Sequence, residues 1–205
     1  MHRIGLALAL FVSLSGANLR ADDGKFHPIF NGKDFTGWVT PEDKTLFTVE
    51  NGEIVGRTKS VDHLKKNEFL ATEKPYGDFV LKAKVKLRNG NSGIQFRSTR
   101  TDDGVVAGPQ ADAAEGYWGL LYEERRRGIL EQYDPKKAEA LIKKNDWNDF
   151  VITCKGDHLT IDINGTRVID RTDPKFDKSG IIALQVHVGP AMEVRYKDLE
   201  IKTLD

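Results

Sequence analysis

The chain has one cysteine in 205 residues, Cys154, so no disulfide can form within it. Its stability must come from an apolar core, which a chain of this length can bury. Cys154 ends the run Phe150-Val151-Ile152-Thr153-Cys154. Phe150, Ile152 and Cys154 share one strand face there, the setting of an inert buried thiol rather than a nucleophile. Charge of one sign is also missing, since 31 Lys and Arg residues balance 31 Asp and Glu. That balance gives no ground for a nucleic acid or an anionic membrane as partner. No close-spaced ligand motif of the HExxH kind occurs, and no metal or other cofactor is expected.

Long apolar runs are absent after the start of the chain. Residues 4–14 are almost wholly apolar and follow the positive Arg3. This run falls short of the about 20 residues that span a bilayer, and it has the form of a secretory signal. Cleavage after Ala21 is expected, which places the protein outside the inner membrane, periplasmic or extracellular, with no membrane attachment. Loss of Arg3 and Arg20 leaves the remainder slightly negative. Residues 22–205 fit a single domain, without repeats, low-complexity tracts or linkers.

What is present is period-two alternation. Phe79, Leu81, Ala83, Val85 and Leu87 alternate with Lys82, Lys84 and Lys86. This predicts a strand with one buried and one solvated face. Leu159, Ile161 and Ile163 do the same and run into Asn164-Gly165, a hairpin signal. Asn51-Gly52 predicts a second hairpin. One helix is expected, capped by Asp134, begun by Pro135 and ending near Asn145, with Ala138, Leu141 and Ile142 as its apolar stripe. Many short strands and one short helix predict an all-β fold, a sandwich or jelly roll of two antiparallel sheets.

Two predicted strands carry an unusual polar face. Gln95 and Arg97 alternate with Ile94 and Phe96, next to Gly93. In residues 181–188 the even positions are aliphatic, while the odd face carries Ile181, Ala183, Gln185 and His187. Amides, an imidazole and a guanidinium hold directed hydrogen bonds, unlike a lysine face that only dissolves. If the two strands share a sheet they form a polar patch, where Gly93 and Ala183 leave room for a ligand. Gln110 and Asp112 lie on one face of a third extended run. After it, residues 117–128 form an aromatic-rich strand, with Trp118 and Tyr122, leading into Glu123, Glu124 and Arg125. Aromatic rings beside carboxylates and amides suit a sugar, whose apolar face stacks while its hydroxyls are hydrogen-bonded.

Six segments in order carry a resemblance. They are Asn31-Gly32-Lys33-Asp34-Phe35-Thr36-Gly37-Trp38, Asn91-Ser92-Gly93-Ile94-Gln95-Phe96-Arg97, residues 116–124, Asp146-Trp147-Asn148-Asp149-Phe150, Asn164-Gly165 and Leu184-Gln185-Val186-His187. Together the sequence resembles the 3-keto-disaccharide hydrolase domain family over residues 30–204. The resemblance implies a concanavalin-like jelly roll and action on glycosides whose glucose is oxidised at C3. The alternating carboxylate strand of similarly shaped β-glucanases does not occur here. Glu123 and Glu124 are adjacent and would face opposite ways on a strand.

A 3-keto sugar permits another route, because its carbonyl acidifies the C2 proton. A base can remove that proton, the enolate can expel the C1 substituent, and water can add back. His187 is the expected base, with Arg97, Gln95 and Gln185 as donors to the enolate oxygen. Asp112, Glu123 or Glu124 is a second acid–base group or binds hydroxyls, and Arg125 supports them. Gln110 is a substrate-binding residue, and Trp118 and Tyr122 are stacking platforms. The partner is then a small-molecule or oligosaccharide substrate. The alternatives are a non-catalytic carbohydrate-binding module, and an adhesion domain that binds another protein.

Overall fold

The computed structural model describes residues 24–204; the expected signal segment and the start of the expected domain lie outside them. Among these residues two antiparallel sheets pack face to face. The first sheet, A, has the order β13 (Thr166–Thr172), β12 (His158–Ile163), β11 (Asn148–Lys155), β6 (Phe79–Asn89), β15 (Met192–Thr203), β4 (Glu53–Thr58), β3 (Phe47–Glu50). The short β1 (His27–Pro28) also pairs with β15. The second, B, has the order β10 (Gly128–Glu131), β9 (Leu121–Glu124), β8 (Val106–Ala114), β7 (Asn91–Arg100), β14 (Ile181–Val186), β5 (Glu68–Thr72), β2 (Trp38–Val39). Strands distant in sequence thus lie side by side, as in the expected jelly roll.

The alternation decides which residues meet. Phe79, Leu81, Ala83 and Val85 of β6 are buried while Lys82 is exposed. They join Phe150, Ile152 and Cys154 of β11, and Ile94, Ile182 and Leu184 from sheet B, in one core. Burial raises the Cys154 thiol to about 12, which keeps it protonated and unreactive. Both predicted hairpins form. Asn51 and Gly52 have φ of 52° and 80°, and Asn164 and Gly165 have 49° and 81°, the paired positive values of a type I′ turn.

The helix α1 (Pro135–Leu141) starts as expected, with the Asp134 carboxylate accepting from the Lys137 amide at 2.9 Å. It ends before Asn145 because two asparagines draw the chain away. Asn164 Nδ2 takes the Leu141 carbonyl at 2.8 Å. Asn148 binds the Lys143 amide at 2.9 Å and its carbonyl at 3.1 Å.

Two buried polar ties cross between the sheets. Tyr196 of β15 places its hydroxyl 2.5 Å from Ser92 Oγ and 3.3 Å from the Gly93 carbonyl on β7. Ser92 donates to the Gln185 carbonyl, so Tyr196 holds β7 and β14 from beneath. The second tie is Arg97, at a β-bulge with φ of 45°. It donates to the carbonyls of Gly77 at 2.9 Å and Gly156 at 2.7 Å, and to Asp78 at 2.5 Å, while only 2% exposed. Removing one partner of such a buried pair leaves unpaired polar groups and costs about 3–5 kcal/mol. An Arg97→Met protein is expected to lose roughly that much stability in urea unfolding, with the largest losses of amide-exchange protection around Asp78 and Gly156.

Candidate active site on the outer face of sheet B

The outer face of sheet B is built from residues that alternate with its core positions. Cross-strand pairing lays them out in rows. One row runs Ile129, Tyr122, Gln110, Gln95, Ala183, Ala71. The next places Asp112 opposite Gly93 on β7. Adjacent members are about 5 Å apart. A cavity of about 330 Å³ opens over these rows, within the range of small-molecule sites. Its walls include Gln110, Asp112, Glu124, Gln185, His187 and Tyr122, six residues of the expected site brought together from three chain segments.

The cavity floor is polar. Gln110 Nε2 donates to Asp112 Oδ1 at 2.6 Å and approaches Gln185 Oε1 at 3.5 Å. Gln185 Nε2 is 3.4 Å from Glu124 Oε2, which also accepts from Asn67 Nδ2 at 3.1 Å. Asp112 is 6% exposed. Its carboxyl is raised from 3.8 to about 7, by desolvation first and by the charge of Glu124, against the lowering effect of the Gln110 hydrogen bond. Tyr122 is raised for the same reasons. His187 follows the end of β14, half-buried in the cavity wall. Its Nδ1 contacts the Val188 carbonyl. A carbonyl only accepts, so Nδ1 carries the proton, and Nε2 holds the lone pair of the neutral ring. Two buried acceptors, Asn91 Oδ1 and Gln110 Oε1, have no protein donor.

Five expected site residues stand elsewhere. The bulge turns Arg97 through its positive φ into the inter-sheet tie described above, so it does not act at the cavity. Gln95 is fully buried between Ala183 and Gln110, with neither amide atom bonded, and does not line the cavity. Glu123 faces away from Glu124, as adjacent strand residues must, and Arg127 binds it at 2.5 and 2.8 Å. Residues 115–120 form a turn rather than a strand. Tyr117 therefore emerges toward the cavity while Trp118 enters the core. Arg125 is exposed and paired with Asp103 at 3.0 Å. The room above Gly93 is also taken. A Cβ there would lie 2.7 Å from Gln110 Cγ, so the missing side chain lets Gln110 lie across β7.

Asn67, Asn91, Tyr117, Leu120 and Ile129 complete the walls and were not singled out from sequence. Asn91 and Tyr117 lay within the family segments, but Asn67 and Ile129 carry no local signal. Among the described residues no group of three or more His, Cys, Asp and Glu side chains is arranged to hold a metal ion.

Asp112 also makes stability depend on pH. With its folded pKa raised, the native state holds a proton that the unfolded chain releases above about pH 4. The resulting stabilisation is complete below that value and is lost as pH rises through about 7. An Asp112→Asn protein is therefore expected to match the parent in stability at pH 4 and to exceed it by about 2–4 kcal/mol at pH 8, read by urea unfolding at both pH values.

No curated protein matches the sequence. Among solved structures, a presumptive glycosyl hydrolase from Parabacteroides distasonis ATCC 8503 is 22% identical, with a TM-score of 0.62 over 88% of this chain and 94% of that one. A β-glucanase from Bacillus licheniformis is 12% identical, with a TM-score of 0.60 over 88% of this chain and 98% of that one. A carbohydrate-binding module from Bacillus subtilis is 20% identical, with a TM-score of 0.57 over 82% and 96%. At these identities the likeness is one of fold, and the same jelly roll serves both a hydrolase and a binding module. The model of the 3-keto-α-glucoside-1,2-lyase-like domain matches residues 25–202, and the chain belongs to that family.

Proposed function

We propose that this chain cleaves glucosides bearing a ketone at C3, by elimination followed by hydration. The observation that carries the reading is a buried carboxyl group, Asp112, raised to about 7, in the same amide-lined cavity as a half-buried imidazole, His187. Elimination needs one group that takes a proton and one that gives a proton, with pKa values near the working pH.

In this mechanism Nε2 of neutral His187 removes the C2 proton. The electron pair moves into the C2–C3 bond and the ketone oxygen becomes an enolate. The side-chain N–H groups of Asn91 and Gln185, which line the cavity, supply the donors around it. The enolate re-forms the ketone, a C1–C2 double bond forms, and the bond from C1 to its substituent breaks. Protonated Asp112 gives its proton to the departing oxygen. Water then adds across the new double bond, with its hydroxyl at C1 and its proton at C2, so the sum is hydrolysis. Asn67 and Glu124, which line the cavity, meet the remaining sugar hydroxyls. Action outside the inner membrane forms part of the proposal, on the strength of residues 4–21.

One observation favours the rival reading of a carbohydrate-binding module without chemistry. Arg97 is engaged between the sheets, so no guanidinium among the described residues lines the cavity to meet an enolate. Incubation with 3-keto-trehalose and with trehalose, each with and without chelator, decides between them through release of free glucose. The expected outcome is release from the keto sugar alone, unaffected by chelator, with a rate that falls as pH rises above about 7 and Asp112 loses its proton. His187→Ala and Asp112→Asn are each expected to lower kcat about 100-fold or more. Full activity in His187→Ala would remove the role given to that residue. Binding of the keto sugar without release would establish the module instead.

A further inference from the structure

The cavity changes character from its floor to its mouth. Along the row from β7 to the sheet edge, Gln95 and Gln110 are 0% and 3% exposed, Tyr122 is half-buried and Ile129 is 60% exposed. Ile129 pairs with Tyr122, and Tyr122 with Gln110. The polar floor thus gives way to an apolar shelf one strand, about 5 Å, beyond Gln110. Tyr117 rises beside it from the turn before β9 and is 48% exposed. Among the described residues only four large hydrophobic side chains are exposed, and two of them, Tyr117 and Ile129, line this one cavity. With Tyr122 beside them, they give the mouth of this cavity an apolar character that its floor lacks.

On the proposed reading, the glycosyl ring belongs on the floor, beside Asp112 and His187. Its C1 substituent must then leave toward the edge strand β10 (Gly128–Glu131). A second sugar there could stack on a tyrosine, but its hydroxyls would be left to water, because an isoleucine side chain cannot bond them. The cations of the adjoining turn are also committed elsewhere. Arg125 binds Asp103, Arg126 binds Asp177, and Arg127 binds Glu123 and Asp173, so an anionic leaving group has no partner from that turn.

We infer that the leaving-group side of the cavity prefers a flat, apolar aglycone, an aromatic alcohol, over a second sugar, and seats it on Tyr122 and Ile129 with Tyr117 along its edge. This rests on the glycoside-cleaving reading for the direction in which the leaving group departs. It requires no new chemistry. The C1–O bond breaks toward a phenol, whose oxygen carries the negative charge more easily than a sugar hydroxyl does.

The test compares 4-nitrophenyl, methyl and glucosyl 3-keto-glucosides with the parent protein and with Ile129→Ser and Tyr117→Ser. Both positions are exposed, so the fold tolerates the changes. Because aryl groups leave faster from any enzyme, the quantity read is the ratio of parent to variant kcat/KM for each substrate. The expected result is a loss on the 4-nitrophenyl substrate at least tenfold larger than on the methyl or glucosyl one. Equal losses on all three, or none, would overturn the shelf. If the parent cleaves none of the three, the reaction has failed and the shelf is read by calorimetry with unoxidised 4-nitrophenyl and methyl glucosides. Tenfold tighter binding of the aryl compound that disappears in Ile129→Ser would uphold it, and equal affinities would overturn it.

Discussion

All nine residues of β8 are buried, although only one of its faces is apolar. Ala111 and Ala113 enter the core between the sheets, while Gln110 and Asp112 point the other way and are still withdrawn from water. A sandwich of this kind ordinarily wets its outer faces. Here Gln110 lies across Gly93 and bonds Asp112, and the turn at residues 115–120 and the Asn67 and His187 segments border them. The desolvation of Asp112 follows from that packing, and with it the carboxyl raised to about 7. A group that costs stability when ionised is retained where the reaction would use it.

The rest of the molecule fixes the position of this face. Tyr196 reaches through the core to Ser92 and the Gly93 carbonyl, directly beneath the place where Gln110 crosses β7. Arg97 locks the far end of β7 to the loops of sheet A. The floor therefore rests on strands tied at two points by buried hydrogen bonds, and its amides are pre-oriented without any loop having to close. Rigid strands carry the polar atoms, while the apolar mouth sits on an edge strand and a turn, where the neighbourhood is looser.

Two departures from expectation, at Arg97 and Trp118, share one cause. Alternation gives the face of a strand residue only while the ladder is regular. At Arg97 the bulge interrupts it, and a positive φ sends the guanidinium inward. Trp118 enters the core because its segment is a turn, held by the Tyr117 amide on the Ala114 carbonyl and the Leu120 amide on the Tyr117 carbonyl. Glu123 and Glu124 obey the rule: they face opposite ways, and only Glu124 meets the cavity. The buried glutamate belongs instead to an ion-pair cluster with Arg127 and Asp173.

By itself the sequence determined the class of fold, the two Asn-Gly hairpins, the helix start at Asp134 and Pro135, and the polar face that holds Gln110, Asp112, Gln185 and His187. Each of these rests on neighbours two to four positions apart, and such spacings are written directly in the chain. Only the tertiary structure decided that Asn67 closes onto Glu124, 57 positions away, and that Ile129 lies beside Tyr122 at the mouth. The same is true of the inward turn of Arg97. These depend on which strands pair and where a ladder slips by one residue, and a one-residue slip moves a side chain from one face of the sheet to the other.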